Sequence, residues 1–210
     1  MVARGESVLT LAERFGECAL GVPADVGDQA ALPGIVQATI ERFGAIDVLV
    51  NNAGIHRGGR IRDLDPEDFA AVLAVDLIAP WALSRLALEH MQRGSAIVNI
   101  GAVVGLRGFP GDSAYGSAKG GLAGLTKVLA IELARKGITV NLVVPGFTDT
   151  ELTANIDARA RERIRSVIPL GRGAAAEEIA EVVDWVATTP YMTGAVVPVD
   201  GGLMAAMPMG

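Results

Sequence analysis

Ile46-Asp47-Val48-Leu49-Val50-Asn51-Asn52-Ala53-Gly54 is the stretch on which the fold turns. A short, β-branched apolar run with little polar alternation ends abruptly in asparagine, alanine and glycine. That pattern describes a strand covered on both faces that opens into a turn at its C-terminal end. It repeats outward along the chain. Ala96–Ile100 runs into Gly101-Ala102-Val103-Val104-Gly105, and Ile138–Val144 runs into Pro145-Gly146-Phe147-Thr148. Cys18–Ala24 and Val196–Val199 have the same strand character. Between them the spacing predicts helices over Gln29–Phe43, Pro66–Met91, Ala114–Lys136 and Ala176–Thr188. Asp65 is placed as N-cap before Pro66, and Gly94 and Gly137 follow basic last turns. Strands alternating with helices predict an α/β fold: a parallel sheet of about five strands flanked by helices. Any one βα loop needs glycine and asparagine simply to turn. Three such loops at successive strand ends point to a ligand crevice beyond the sheet.

Composition sets the outer limits. The 210 residues make one domain, half of them apolar, with 26 glycines and few aromatics. A formal net charge of −6 argues against a nucleic-acid surface, which needs a basic face to release counterions. The single cysteine, Cys18, excludes an internal disulfide and fits a reducing, cytoplasmic compartment. His56 and His90 have no metal-ligand spacing to each other or to Cys18, so they read as a loop and a helix-end histidine and no metal is expected. No apolar stretch reaches the roughly 18 uncharged residues of a spanning helix, and the N-terminus lacks a signal-peptide core, so no membrane partner is expected.

Tyr115 and Lys119 stand four apart on one helical segment and therefore share a face. A tyrosine is a poor acid–base group near neutrality; an adjacent ammonium stabilises the phenolate and draws its pKa down. This pair occurs among segments that together resemble the short-chain dehydrogenases/reductases, especially the 3-oxoacyl-acyl-carrier-protein reductase type. The segments are Asp25-Val26, Asp47–Gly54, Tyr115-Gly116-Ser117-Ala118-Lys119, Ile138-Thr139-Val140-Asn141, Pro145-Gly146 and Val199-Asp200-Gly201-Gly202. The resemblance implies a Rossmann-like fold and an oxidoreductase using NAD or NADP on a small-molecule carbonyl or acyl-thioester substrate, with Tyr115 as proton donor and Lys119 on the nicotinamide ribose. It further implies Asp25 and Val26 beside the adenine, Asn51, Asn52, Ala53 and Gly54 along the cofactor, and Pro145, Gly146, Thr148 and Thr150 around the nicotinamide. A homo-oligomer, dimer or tetramer, built on the two long helices and the last strand is implied as well.

Three departures from the family pattern qualify the expectation. The catalytic serine, thirteen positions before the tyrosine, falls at Ala102, whose methyl group cannot bond a carbonyl; Ser95 and Ser113 are candidate substitutes. The asparagine of the middle helix, whose main-chain carbonyl is implied to hold a relay water, is Asp76. A carboxylate near Lys119 would cancel part of its field; the alternative is an ordinary helix residue paired with a nearby cation. Finally, the sequence holds no Gly-x-x-x-Gly-x-Gly turn, and Met1-Val2-Ala3-Arg4 resembles the end of the family's second strand. A βαβ piece of about 30 or more residues is thus expected to be missing, leaving a gap of roughly 10 Å in the sheet. Residues 1–27 are expected to move beside Ile46–Val50, to stay loose, or to borrow strands from a partner, while 45–202 keep the family's geometry. Arg4 is a candidate contact for an NADP 2′-phosphate. The resulting expectation is a carbonyl reductase impaired in this chain; the alternative is a catalytically silent homologue serving as a structural subunit or a truncated product. The arginines at 159–165 read as a solvated helix face.

Overall fold

The computed structural model describes residues 1–154 and 156–206. Four parallel strands form the main sheet in the order β3 (Val48–Asn51), β4 (Ala96–Ile100), β5 (Thr139–Pro145) and β6 (Val196–Val199). The register sets Val48 against Ala96, Ala96 against Thr139 and Leu142 against Val196. β4 is buried along its whole length, as its unbroken apolar run predicts. A separate two-stranded parallel sheet joins β1 (Val2–Ala3) to β2 (Val22–Pro23) through helix α1 (Ser7–Glu13).

Three layers enclose the core. On one face, α2 (Leu32–Phe43), α4 (Ala79–Ala87) and α6 (Ser113–Leu133) bring Val36, Ala87, Leu129 and Leu133 onto Ile97 and Val140. On the other, α8 (Ala176–Thr188) lays Val186 on Val98 and Val143. α3 (Pro66–Leu73) begins at Asp65, whose side chain accepts from Glu67 N at 2.8 Å, so the expected N-cap is in place. The predicted helix over Pro66–Met91 is not continuous: a π turn, Ala74–Ile78, separates α3 from α4. By length and mean hydropathy (25 residues, 1.6) Pro66–His90 passes for a membrane span, although Asp76 interrupts its uncharged run. It packs against α2 and α6, however, and it carries the fully buried Asp76. α5 (Val103–Arg107) and α7 (Ala158–Ser166) complete the described helices.

Within the single chain, the N-terminal region keeps to its own small sheet. Residues 1–27 do not pair with β3, and they are tied down: the terminal ammonium donates to Leu20 O at 2.7 Å, and Val8 and Ala12 of α1 are buried. The reason is local. β1, α1 and β2 form a short βαβ crossover, with Val2 paired to Val22 and Ala3 to Pro23. The free edge of β3 consequently stays uncovered, with Val48 and Val50 partly exposed. Behind it, Asn51 turns its amide into the sheet and donates to Asn99 Oδ1 at 2.8 Å, and Asn99 donates to Thr126 Oγ1 at 2.9 Å. This buried polar chain ties β3, β4 and α6 together.

Candidate active site

A cleft of about 2080 Å³ opens beyond the C-terminal ends of β3, β4 and β5, where parallel α/β sheets bind ligands. That exceeds the roughly 300–1,000 Å³ of an ordinary small-molecule pocket. It runs from Arg4, Asp25 and Val26 past Asn52, Ala53 and Gly54 to Ala102, Tyr115 and Lys119. Pro145, Gly146, Thr148 and Thr150 line the same space. The predicted residues therefore converge, apart from two. Asn51 faces the sheet interior, and Asp76 lies behind the wall with no exposed surface.

The buried centre is an ion pair. Lys119 Nζ, on α6, lies 3.2 Å from Asp76 Oδ2 on the π turn and donates to Ile100 O at 2.9 Å. Asp76 Oδ1 accepts from Ile55 N at 2.9 Å, while Oδ2 faces the ammonium without a well-aligned hydrogen bond. Glycine is required at 54 because a Cβ there would stand 2.8 Å from Asp76 Oδ2 and 3.4 Å from Lys119 Nζ. Gly105 is likewise forced: its Cβ would meet Gly120 N at 2.6 Å, where α5 crosses α6.

This pairing sets the carboxylate of Asp76 against Lys119, and with burial it works against a lowered Tyr115 pKa. Lys119 Nζ is 5.5 Å from the Tyr115 ring centroid. Burial nevertheless pushes the phenol above its ordinary value, and the charges of Asp76 and Asp112 push it further. Burial also raises Asp76, against the opposing pull of Lys119, and lowers Lys119, against the opposing pull of Asp76. The neutral pair gives the phenolate no net cation to lean on. Asp76→Asn is expected to remove that anion and lower the Tyr115 pKa, moving the limb of alcohol oxidation, which needs phenolate, to lower pH. Rates near neutrality should rise about tenfold, checked by the pH profile of dehydrogenation; an unmoved limb rejects the assignment.

Neither candidate serine replaces the missing hydroxyl. Ser95 Oγ is buried at the opposite end of β4, bonded to Gln92 N and Ile46 O. Ser113 Oγ is buried without a partner and does not line the cleft. What sequence reading missed is His56, set aside there as a loop histidine. Its Nε2 lies 2.8 Å from Asp112 Oδ1, and its ring stands edge-on to Tyr115 at 5.4 Å. The hydrogen bond it donates to Asp112 raises its pKa, burial opposes, and the charges of Asp112 and Asp76 add to the rise. Its place two residues beyond Gly54, in the loop already assigned to the crevice, was the available signal.

The space left by Gly54 and the continuity from Arg4 to Thr148 fit the two ends of a dinucleotide. The sequence supplies no glycine-rich phosphate turn between them.

A Tyr–Lys pair at the strand ends of such a sheet is the arrangement of an oxidoreductase fold, and comparison with known proteins agrees. Residues 2–204 match the family described as enoyl-(acyl carrier protein) reductase. A 3-oxoacyl-[acyl-carrier-protein] reductase of Thermotoga maritima is 40% identical over 184 residues, which cover 86% of this chain and 75% of that protein. A variant short-chain dehydrogenase/reductase of Serratia marcescens superposes with a TM-score of 0.90 at 34% identity, over 97% of this chain and 85% of its own. A blue fluorescent protein from a metagenomic library, solved in complex with NADPH, gives 0.91 at 31% identity over 96% and 85%. The chain belongs to the short-chain dehydrogenases/reductases. Within them it is similar to the 3-oxoacyl-acyl-carrier-protein reductase type.

Proposed function

We propose that this protein reduces the 3-oxo group of acyl thioesters to a hydroxyl, using NAD(P)H. The observation that carries the reading is Tyr115 beside the buried Lys119 in a cleft of about 2080 Å³ that is lined from Arg4 and Asp25 to Thr148. The nicotinamide, when bound, supplies hydride to the carbonyl carbon. Tyr115 Oη gives its proton to the carbonyl oxygen. Lys119, fixed by Ile100 O and Asp76, holds the ribose end. Among the residues lining the cleft, Asp25 and Val26 would flank the adenine, Arg4 would meet a 2′-phosphate, Asn52, Ala53 and Gly54 would lie along the cofactor, and Pro145, Gly146, Thr148 and Thr150 would border the nicotinamide. The lone exposed Cys18 fits a reducing compartment, and the reaction is placed in the cytoplasm.

Cofactor fluorescence and absorbance test this directly. Micromolar NADPH or NADH binding, with cofactor oxidation on adding an acetoacetyl thioester, is expected. No binding up to millimolar concentration overturns the reading in favour of a silent scaffold, the second reading that Ala102 and the Asp76–Lys119 pair favour.

The working unit is proposed to be a homo-oligomer. Trp81, Ile78, Val128 and Ile131 expose apolar surface on and beside α4 and α6, and Leu77, Ile78, Trp81 and Leu125 enclose a shallow apolar groove. Light scattering should show a dimer or tetramer, and Trp81→Glu should dissociate it; a monodisperse monomeric wild type rejects the assembly.

A further inference from the structure

A carbonyl accepting hydride develops negative charge on oxygen, and one donor, Tyr115, faces it in the scheme above. Residue 102 offers only a methyl group. We propose that His56 is the second hydrogen-bond donor to the reacting oxygen, doing in this chain what a hydroxyl at 102 would do. The inference rests on the reductase reading.

The geometry supports it in three respects. His56 lines the cleft with Tyr115 and Ala102, its ring edge-on to the phenol with centroids 5.4 Å apart. Its Nε2 is committed to Asp112 Oδ1 at 2.8 Å, while its Nδ1 has no partner among the described residues. The imidazole is also held in place. Gly59 N donates to Gly111 O at 2.8 Å, clamping the His56 loop to the loop before α6, and a Cβ at Gly58 would stand 3.1 Å from His56 Cε1. A doubly protonated imidazole bonded to a carboxylate keeps its second N–H free to donate. The ionisable groups around it are Asp112 from the loop before α6, Tyr115 from α6 and Asp76 from the π turn. Arg57, its neighbour in sequence, is spent on Asp68. Both carboxylates favour the cation.

In the step itself, hydride forms the new C–H bond and the C=O π pair moves to oxygen, which takes the Tyr115 proton. The His56 proton stays on nitrogen and is shared in a hydrogen bond that strengthens as charge develops. Losing one such donor costs about 10²–10³ in enclosed sites. At a half-exposed imidazole the expected loss for His56→Phe is about tenfold in kcat.

The test combines kinetics with a measurement that needs no turnover. Acetoacetyl thioester reduction is followed against pH in wild type, His56→Phe and His56→Gln, each also with Ala102→Ser, and thermal melts confirm folding. His56→Gln, a neutral donor, should keep most of kcat and abolish the alkaline fall that imidazole deprotonation gives wild type. With serine at 102, His56→Phe should cost less than about threefold. Nitrogen-15 NMR of the imidazoles, simple in a chain with two histidines, should show His56 titrating above 6.5 and falling in Asp112→Asn. An unchanged kcat in His56→Phe, an equal loss in the serine background, or an ordinary His56 titration overturns the proposal while leaving an active wild type as a reductase. A wild type without turnover overturns both.

Discussion

Tyr115→Phe is expected to lower the rate of carbonyl reduction by about 10²–10⁴, the usual share of a positioned general acid, while leaving the fold within about 1 kcal/mol of wild type. The hydroxyl is the only part of the side chain removed. The ring still packs against Val72, Ala114 and Ala118. Because burial, Asp76 and Asp112 all raise the phenol, it stays protonated throughout the neutral range. The sign matters: a raised pKa keeps the acid form present, so reduction is not lost through Tyr115 as pH rises to 9, whereas the phenolate needed for the reverse oxidation is scarce. Single-turnover hydride transfer and a thermal melt check both halves. A phenylalanine variant retaining most of its rate would mean that another group gives the proton.

The parts of this molecule most legible in the sequence are those dictated by local chemistry. β4, β6 and α8 lie where unbroken apolar runs and the first-turn Glu177 and Glu178 place them. Asp65 caps α3 as its side chain allows. Residues tied to strand ends, from Asn52 to Thr150, converge because a parallel sheet puts all its C-terminal ends on one side. What the sequence hid depends on distant partners. The π turn at Ala74–Ile78 leaves no mark in hydropathy, yet it carries Asp76 to Lys119, 43 positions further along the chain. Asn51 and Asn52 are adjacent and chemically alike, but strand alternation turns one toward Asn99 and leaves the other at the cleft. His56 gains meaning only from Asp112, brought to it across the clamp between two loops. The pairing of β1 with β2 in a sheet of their own joins segments about 20 residues apart, which no local pattern in the sequence marks.

Ala102→Ser is expected to raise kcat by about 10²-fold, the lower end of what one donor to a developing oxyanion contributes, since His56 already supplies part of that stabilisation. The gain should fall on kcat more than on KM, because a hydrogen bond to an oxygen acquiring charge is stronger in the transition state than in the bound ketone. The backbone is ready for the change. Ala102 is extended (φ −158°, ψ 153°) and sits as N-cap of α5 with no side-chain cap, its own carbonyl accepting from Gly105 N at 3.0 Å. A serine there would also cap the free amides of α5, a stabilisation of about 0.5–2 kcal/mol relative to alanine. The two uses are compatible, because the hydroxyl oxygen can accept from the helix while its proton points to the substrate. They are also separable by experiment. A higher melting temperature with unchanged kcat would show the hydroxyl turned wholly to the helix and the carbonyl bound elsewhere, whereas a kcat gain that shrinks when His56 is intact and grows when it is removed would place both donors on one oxygen.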